Sequence, residues 1–285
     1  MNLVLRTADP GDAGAAGGIC HAAFRTIAER HAFPPDFPEP AAAIDLIEHL
    51  LSRDDVYGVT AEADGRIVGS NFLWEGEDVA GVGPITIDPA VQNGRIGRRL
   101  MEAIIERARD RGISRIRLVQ AAYHSRSLAL YTSLGFQTRE PLSVMQGPPL
   151  AMTLHGHRVR AGVAADLKAA ELLCKRVHGH RRTAELRIAI EQGVARIVER
   201  GGRLTGYTTG VGFFGHTVGE DLTDVQALIA AAISFEGPGF LLPTRNACLM
   251  RWCLQHGLRI VQPMTLMTIG PYQDPQGAFL PSILY

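Results

Sequence analysis

A chain of 285 residues and 30.8 kDa, 46% hydrophobic and 20% charged, has ordinary globular composition for one large or two modest domains, which excludes wholesale disorder, collagen-like repeats and a disulfide-dense miniprotein. Lys plus Arg equals Asp plus Glu at 29 each, so no net positive charge recruits nucleic acid or anionic lipid, and neither is expected as a partner. The longest apolar stretch, 225–235, falls far short of the roughly 20 residues of a membrane span; with Arg6, Asp9 and Asp12 where a signal peptide needs an apolar run, a cytoplasmic location is expected.

Residues 2–7 read as a strand, followed by a helix over about 12–30 with Ile19, Ala23 and Ile27 at helical spacing. Pro34, Pro35, Pro38 and Pro40 break the chain before a second helix over about 41–52, with Ile44, Ile47, Leu50 and Leu51 on one face. The alternating runs 56–63 and 66–74, joined by Asp64-Gly65, predict a hairpin. A strand over 82–87, a helix over 97–111, a strand over 115–121, a helix over 125–134 closed by Gly135, and a strand from Phe136 complete the order β-α-α-β-β-β-α-β-α-β.

The second half repeats it. Gly-Arg-Leu-Thr-Gly at 202–206 echoes Gly-Arg-Ile-Val-Gly at 65–69, and the run from His124 through Tyr131 to Gly135-Phe136 aligns without a gap against Asn246 through Cys253 to Gly257-Leu258. Two copies of one fold are expected, with a boundary at the Gly147, Pro148, Pro149 and Gly156 cluster: domains 1–148 and 149–285. Cys20, Cys174, Cys248 and Cys253 show no paired spacing and read as reduced thiols, mostly buried.

Chemistry concentrates in the stretch 88–100, Asp-Pro-Ala-Val-Gln-Asn-Gly-Arg-Ile-Gly-Arg-Arg-Leu. A Gly-containing loop feeding a helix exposes unpaired backbone N–H groups at the positive end of the helix dipole, an anion site suited to a pyrophosphate. Arg95, Arg98 and Arg99 add charge beside Gly94 and Gly97. On its own the loop also reads as a plain strand-to-helix turn with a solvated arginine cluster.

The run from Ile85 to Leu100, with Leu130-Tyr131 and Leu134-Gly135-Phe136 about 35 residues on, resembles the GCN5-related N-acetyltransferase (GNAT) superfamily. The resemblance covers about 140 residues of the first half and implies a mixed, mostly antiparallel α/β sheet with a splayed strand pair and flanking helices. It also implies acetyl-CoA as co-substrate: Ile85, Thr86 and Ile87 would pair with its pantetheine arm, and Gln92, Asn93, Gly94, Arg95, Ile96, Gly97 and Arg98 would wrap its pyrophosphate. Gln92 and Gly97 match the family's loop, whereas Arg95 stands where the first glycine is expected and Gly94 falls one residue early.

Tyr131 occupies the place of the family's recurrent tyrosine, a phenol able to protonate the departing sulfur. Its other reading is a half-buried aromatic on an amphipathic helix. His124, where relatives often have asparagine, would contact the cofactor or cap its helix. Relatives that carry a glutamate base place it where this chain has Gly81, leaving Glu75, Glu77, Asp78 and His124 as loose candidates.

The second half resembles the degenerate partner domain of tandem members. Its loop equivalent, 216–224, carries Glu220, Asp221 and Asp224, which repel a pyrophosphate, and Cys253 replaces the tyrosine. Gly210-Val-Gly212-Phe-Phe-Gly215 is a literal dinucleotide-binding pattern, but the next helical pattern begins near Leu222, so a bent Gly-rich strand is the preferred reading. His-Gly-His triplets at 155–157 and 178–180 lack acidic or Cys partners at ligand spacing, and no metal is expected. The resemblance implies N-acetyl transfer to a small-molecule or protein amine acceptor in the first domain, with the second as a wall of the acceptor cleft; a non-catalytic acyl-CoA-binding protein is the alternative.

Overall fold

The computed structural model describes residues 2–92 and 94–284. Two compact units emerge: residues up to Gln137 with Thr268–Gly270 and Leu284, and Thr138–Met267 with Pro271–Ile283. The first contains β1 (Leu3–Thr7), α1 (Ala13–Arg30), α2 (Pro40–Leu51), β2 (Val56–Ala63), β3 (Arg66–Trp74), β4 (Ala80–Val82), β5 (Thr86–Ile87), α3 (Ile96–Asp110), β6 (Ile116–Ala121) and α4 (Ser125–Ser133). The second contains β7 (Gln137–Gln146) from Thr138 onward, β8 (Arg158–Ala161), α5 (Leu167–His178), α6 (Thr183–Glu191), β9 (Arg196–Arg200), β10 (Arg203–Thr208), β11 (Thr217–Gly219), α7 (Leu222–Ala230), β12 (Phe240–Pro243), α8 (Ala247–Gln255), most of β13 (Arg259–Ile269) and β14 (Ala278–Leu280). The element order of the first copy recurs from β8 to β13.

The first unit's sheet runs β1-β2-β3-β4-β6, with β5 beside β3. Asp64 and Gly65 both take positive φ, 49° and 78°, which suits the two-residue turn between right-twisted strands. Ala13 and Ala16 of α1, Ile47 and Leu50 of α2, and Phe72 of β3 form a buried cluster. The buried stripe of α1 is Ala13, Ala16, Gly17, Cys20, His21 and Ala28. Ile19, Ala23 and Ile27, the expected stripe, are only half-buried. The reason is the crossing with α2: a Cβ on Gly17 would stand 2.5 Å from Ile44 Cα, so small residues face the partner helix.

The expected strand over 82–87 is instead two short pieces, because Gly83 takes φ 136° and Pro84 lacks an N–H to extend a ladder.

An ion-pair motif appears once in each unit. Arg6 on β1 grips Asp12 through Nη1 and Nη2 at 2.7 and 2.8 Å and donates from Nε to Glu62 on β2 at 2.7 Å. Arg160 on β8 grips Asp166 at 2.7 and 2.7 Å and donates to Glu199 on β9 at 2.8 Å. In each, the aspartate also accepts a backbone N–H at the start of the first helical turn, from Asp9 at 2.8 Å and from Val163 at 2.9 Å. The same geometry on equivalent elements marks the halves as copies of one fold more firmly than the sequence echoes do.

In the second unit, β14-β11-β10-β9-β8 form one sheet and β13-β7-β12 are neighbours in another. No helix among the described residues is long and apolar enough to cross a membrane.

Candidate active site

β4 pairs with β6 in parallel at Ala80↔Ile116 and Gly81↔Arg117, and among the described residues no further ladder joins the two strands. On the other side β3 continues alongside, at Leu73↔Val82 and Trp74↔Gly81, then Ser70↔Thr86 and Gly69↔Ile87. The backbone of residues 83–87, which includes Ile85, Thr86 and Ile87, therefore presents one edge outside any ladder among the described residues. Ladder groups left unpaired in this way accept an added extended chain.

On these diverging strands the buried Thr86 hydroxyl and both amide atoms of Gln120 have no hydrogen-bond partner; Gln120 lies three residues beyond the last position of β6 paired with β4. Buried polar atoms are nearly always hydrogen-bonded, so these fit a site completed by a bound molecule. Nothing in the pattern of β6 marked Gln120, since a lone Gln in a strand carries no local signal.

The Asp88 carboxylate accepts from Ala90 N at 2.9 Å and starts a short 3-10 turn, Pro89–Val91, leading into the loop. Asn93 lies outside the described residues. Arg95 adopts the left-handed conformation, φ 59° and ψ 13°, at the N-cap of α3, and its side chain does not cap that helix. Among the described residues no side chain takes the first N–H groups of α3, from Ile96, Gly97 and Arg98, which is the arrangement of a helix-terminus anion site. Gly97 has a packing role as well: a Cβ there would sit 3.2 Å from Ile87 Cδ1, so its absence lets α3 lie against β5.

The arginines divide. The Arg98 guanidinium donates to Ser133 Oγ at 2.7 Å and stands 3.6 Å from Glu102, and Arg99 donates to Leu3 O at 3.1 Å. Arg126 of α4, not singled out in the sequence, donates to Gln92 Oε1 at 3.3 Å and so brings a further positive charge to the loop. Its place follows only once α4 is docked.

Tyr131 is buried and packs edge-on to Phe136 with centroids 6.0 Å apart. Burial pushes its phenol up to about 12, partly offset by the nearby Ser127 hydroxyl. His124 is the N-cap residue of α4, and its Nδ1 lies 2.7 Å from Ser127 Oγ. Burial, then the positive neighbours Arg126, His31 and Arg30, lower its imidazole to about 4. Phe33, in the Pro-broken segment after α1, stacks on Tyr123 at 4.2 Å with planes 10° apart.

At Gly81, a Cβ would stand 3.1 Å from Leu284 C and closer still to its carbonyl oxygen. The position therefore has no room for a glutamate side chain. Of the other acids considered, Glu75 is committed to Arg107 at 2.6 Å and Arg111 at 3.1 Å.

The equivalent place in the second unit is closed in two ways. β14 pairs along β11, at Thr217↔Leu280, Val218↔Phe279 and Gly219↔Ala278, covering the edge that stays open at β5. Asp221 caps α7, accepting from Thr223 N at 3.0 Å and Asp224 N at 3.2 Å, so an internal carboxylate occupies the helix terminus. Cys253, at the tyrosine's place on α8, is buried and its thiol pushed up to about 12. The Gly210–Gly215 pattern is a tight loop in which Gly212 bridges to Glu236, and α7 opens only at Leu222, so the geometry of a dinucleotide turn is not met.

His157 comes within 3.6 Å of Asp224 beside Asp221, a grouping that chain spacing hid. Arg200 bonds both carboxylates, at 2.7 and 3.3 Å, and Thr205 donates to Asp224 at 2.6 Å. These donors use the lone pairs that a metal would need.

The model of the acetyltransferase (GNAT) family matches residues 24–136. An IAA acetyltransferase from Azospirillum brasilense is 30% identical over 117 residues, covering 40% of this chain and 76% of that protein. Among solved structures, a GCN5-related N-acetyltransferase from Sphaerobacter thermophilus superposes with TM-score 0.64 at 17% identity, covering 97% of this chain and 98% of that one. A tandem GNAT protein from the clavulanic acid biosynthesis pathway does so with TM-score 0.54 at 15% identity, covering 95% of this chain and all of that one, 100%.

Proposed function

The chain belongs to the acetyltransferase (GNAT) family, as a tandem member and an acyltransferase, and from that premise we propose that its first unit alone binds acetyl-CoA and transfers the acetyl group to an amine. The observation that carries this reading is the contrast between the copies among the described residues: a strand edge outside any ladder and an α3 without a side-chain cap in the first, a β14-covered edge and an Asp221-capped α7 in the second. Acetyl-CoA supplies an acyl group activated as a thioester.

The backbone of Ile85, Thr86 and Ile87 would hold its extended arm by strand-like hydrogen bonds. The α3 N-terminus with Gln92, Gly94, Arg95, Ile96, Gly97 and Arg126 would hold its pyrophosphate. Arg98 bears on that site through Ser133, by fixing α3 to α4. Tyr131, neutral at pH 7, keeps a proton available for the departing sulfur. Excess amine in its unprotonated form attacks directly, so no covalent enzyme intermediate is required.

Titration calorimetry with CoA is expected to give one site per chain, and thiol release from acetyl-CoA in a mixed amine panel is expected to exceed the amine-free rate. Two sites per chain would overturn the assignment to the first unit. Binding with no release for any amine would overturn transferase action in favour of simple acyl-CoA binding.

Arg95 provides a test in which stability and binding move oppositely. A non-glycine residue in the left-handed region costs about 1 kcal/mol, so Arg95→Gly is expected to raise the denaturation midpoint slightly. Loss of the guanidinium is expected to weaken CoA binding by about 1 to 3 kcal/mol, less at high salt. Thermal melts and calorimetry on one variant check both signs, and tighter CoA binding would mean that Arg95 obstructs the loop.

A further inference from the structure

The two copies can be matched residue by residue at the diverging strands. Four positions before the N-cap of the last helix, His124 of α4 and Asn246 of α8, stand Gln120 on β6 and Leu242 on β12. The turn between is the same in both, with His124 N donating to Ala121 O at 3.0 Å and Asn246 N to Pro243 O at 2.9 Å. Strand register supplies a second match. Starting from the two ion-pair arginines, the cross-strand rows run Arg6↔Thr60↔Ser70↔Thr86 and Arg160↔Ile197↔Tyr207↔Val218. The hydroxyls of Thr60 and Ser70 also lack partners, but Thr86 is the member that ends the row at the edge outside any ladder.

Gln120 and Thr86 thus stand where the second copy has Leu242 and Val218, both buried in its apolar clusters. Leucine and valine nearly match glutamine and threonine in shape, so the copies differ here in hydrogen-bonding atoms and little else. In the first copy those atoms have no hydrogen-bond partner among the described residues. A buried polar atom without a partner costs stability that its apolar isostere avoids, and such a cost is kept where function uses the group.

The two side chains lie on opposite faces of the sheet. Asn71 on β3 donates to Met101 Sδ on α3 at 3.3 Å, and strand alternation carries that face through Leu73↔Val82 and Ala80↔Ile116 to Leu118 and Gln120. Thr86 pairs with Ser70 on the other face, which Phe72 shares with α1 and α2. Gln120 therefore belongs to the side of the α3 anion site, and Thr86 to the side of the helices joined by the Pro-broken segment.

We propose that Gln120 and Thr86 hold the two substrates at the gap between β5 and β6, Gln120 an amide of the acetyl-CoA arm and Thr86 the nitrogen of the acceptor amine; this deepens the transferase reading above and rests on it. The arm is built on secondary amides, and a carboxamide meets them with both a donor and an acceptor. A deprotonated amine donates an N–H to Thr86 Oγ, which leaves its lone pair free for the thioester carbon and fixes its approach.

The testing variants are the residues that the second copy already carries. Gln120→Leu is expected to raise the denaturation midpoint of the ligand-free protein and to weaken CoA binding in calorimetry by about 3- to 10-fold. Affinity for adenosine 3′,5′-bisphosphate, which keeps the nucleotide end of CoA and lacks the arm, should not change. Unchanged CoA affinity, or equal losses for CoA and the bisphosphate, would overturn the role of Gln120. Both measurements are made without turnover.

Thr86→Val is likewise expected to raise the midpoint and to leave CoA affinity unchanged. With the best amine of the panel it should lower kcat/KM for the amine by about 10-fold, with the KM for acetyl-CoA unchanged and Thr86→Ser restoring the rate. A lowered midpoint with unaltered amine kinetics would show a structural hydroxyl and overturn the role of Thr86. A parent protein that binds no CoA would overturn the transferase reading itself, whereas a parent that binds CoA no better than Gln120→Leu does overturns only the assignment made here.

Discussion

Replacing Tyr131 by phenylalanine is expected to lower kcat by about 10²- to 10⁴-fold, the range for loss of a positioned general acid, with acetyl-CoA affinity changed no more than a few-fold. The ring keeps its edge contact with Phe136, and only the hydroxyl is removed. Because the phenol matters when charge develops on sulfur, kcat and kcat/KM should fall together. Steady-state kinetics with calorimetric Kd values for CoA separate this from a folding defect. Equal kcat in the variant would remove Tyr131 from the chemistry. The phenol, raised to about 12 by burial, remains protonated across the neutral range, so its own titration should not limit the rate below about pH 10.

Asp12→Ala is expected to lower stability by about 2 to 3 kcal/mol, near the lower end for breaking a buried pair, since a third of Arg6 stays in water. The aspartate accepts two guanidinium bonds at 2.7 and 2.8 Å and the Asp9 N–H at 2.8 Å, so one substitution strips a pair and a helix start together. Asp166→Ala should cost a similar amount in the second unit, where Arg160 and Val163 N take the same roles.

The pH sign follows from linkage. Hydrogen bonding by Arg6 and Arg160 holds the folded carboxyls of Asp12 and Asp166 below their ordinary value. Their contribution is therefore fully present above the unfolded value of about 4 and is lost as pH falls from there through the lowered folded values. Denaturant midpoints at neutral pH and at about pH 3 should converge between parent and variant; a constant difference would contradict the pairing.

The hairpin around Asp64-Gly65, the two helices that follow β1, and the α4 run closed by Gly135 were legible because each is written locally, in turn chemistry or a 3.6-residue period. The echo of that last run at Asn246–Leu258 made the tandem order readable as well. The Gly94 to Gly97 loop was legible as a helix entry, and its one departure had a consequence the sequence could name but not resolve: Arg95, in the place of a glycine, takes the glycine-like φ of 59°.

The buried stripe of α1 differs from the one its large apolar residues predict, and the reason is physical. Large apolar residues usually mark a buried face, but where two helices cross closely the face is chosen by what fits: at Gly17 even a Cβ would meet Ile44, and the buried face of α1 is the one that carries Ala16, Gly17 and Cys20.

By itself the sequence determined the order of elements apart from the break at Gly83-Pro84, the repeat, the family resemblance and the positions of the loop and Tyr131, all properties of neighbouring residues or fixed short spacings. Tertiary structure alone decided the rest: which arginine meets Gln92, that no side chain fits at Gly81, that Asp221 rather than an anion closes α7, and that β14, some 60 residues beyond β11 in the chain, covers the second edge. A hydrogen bond needs two partners within about 3 Å of one another, and when they lie far apart along the chain no local pattern records that they will meet.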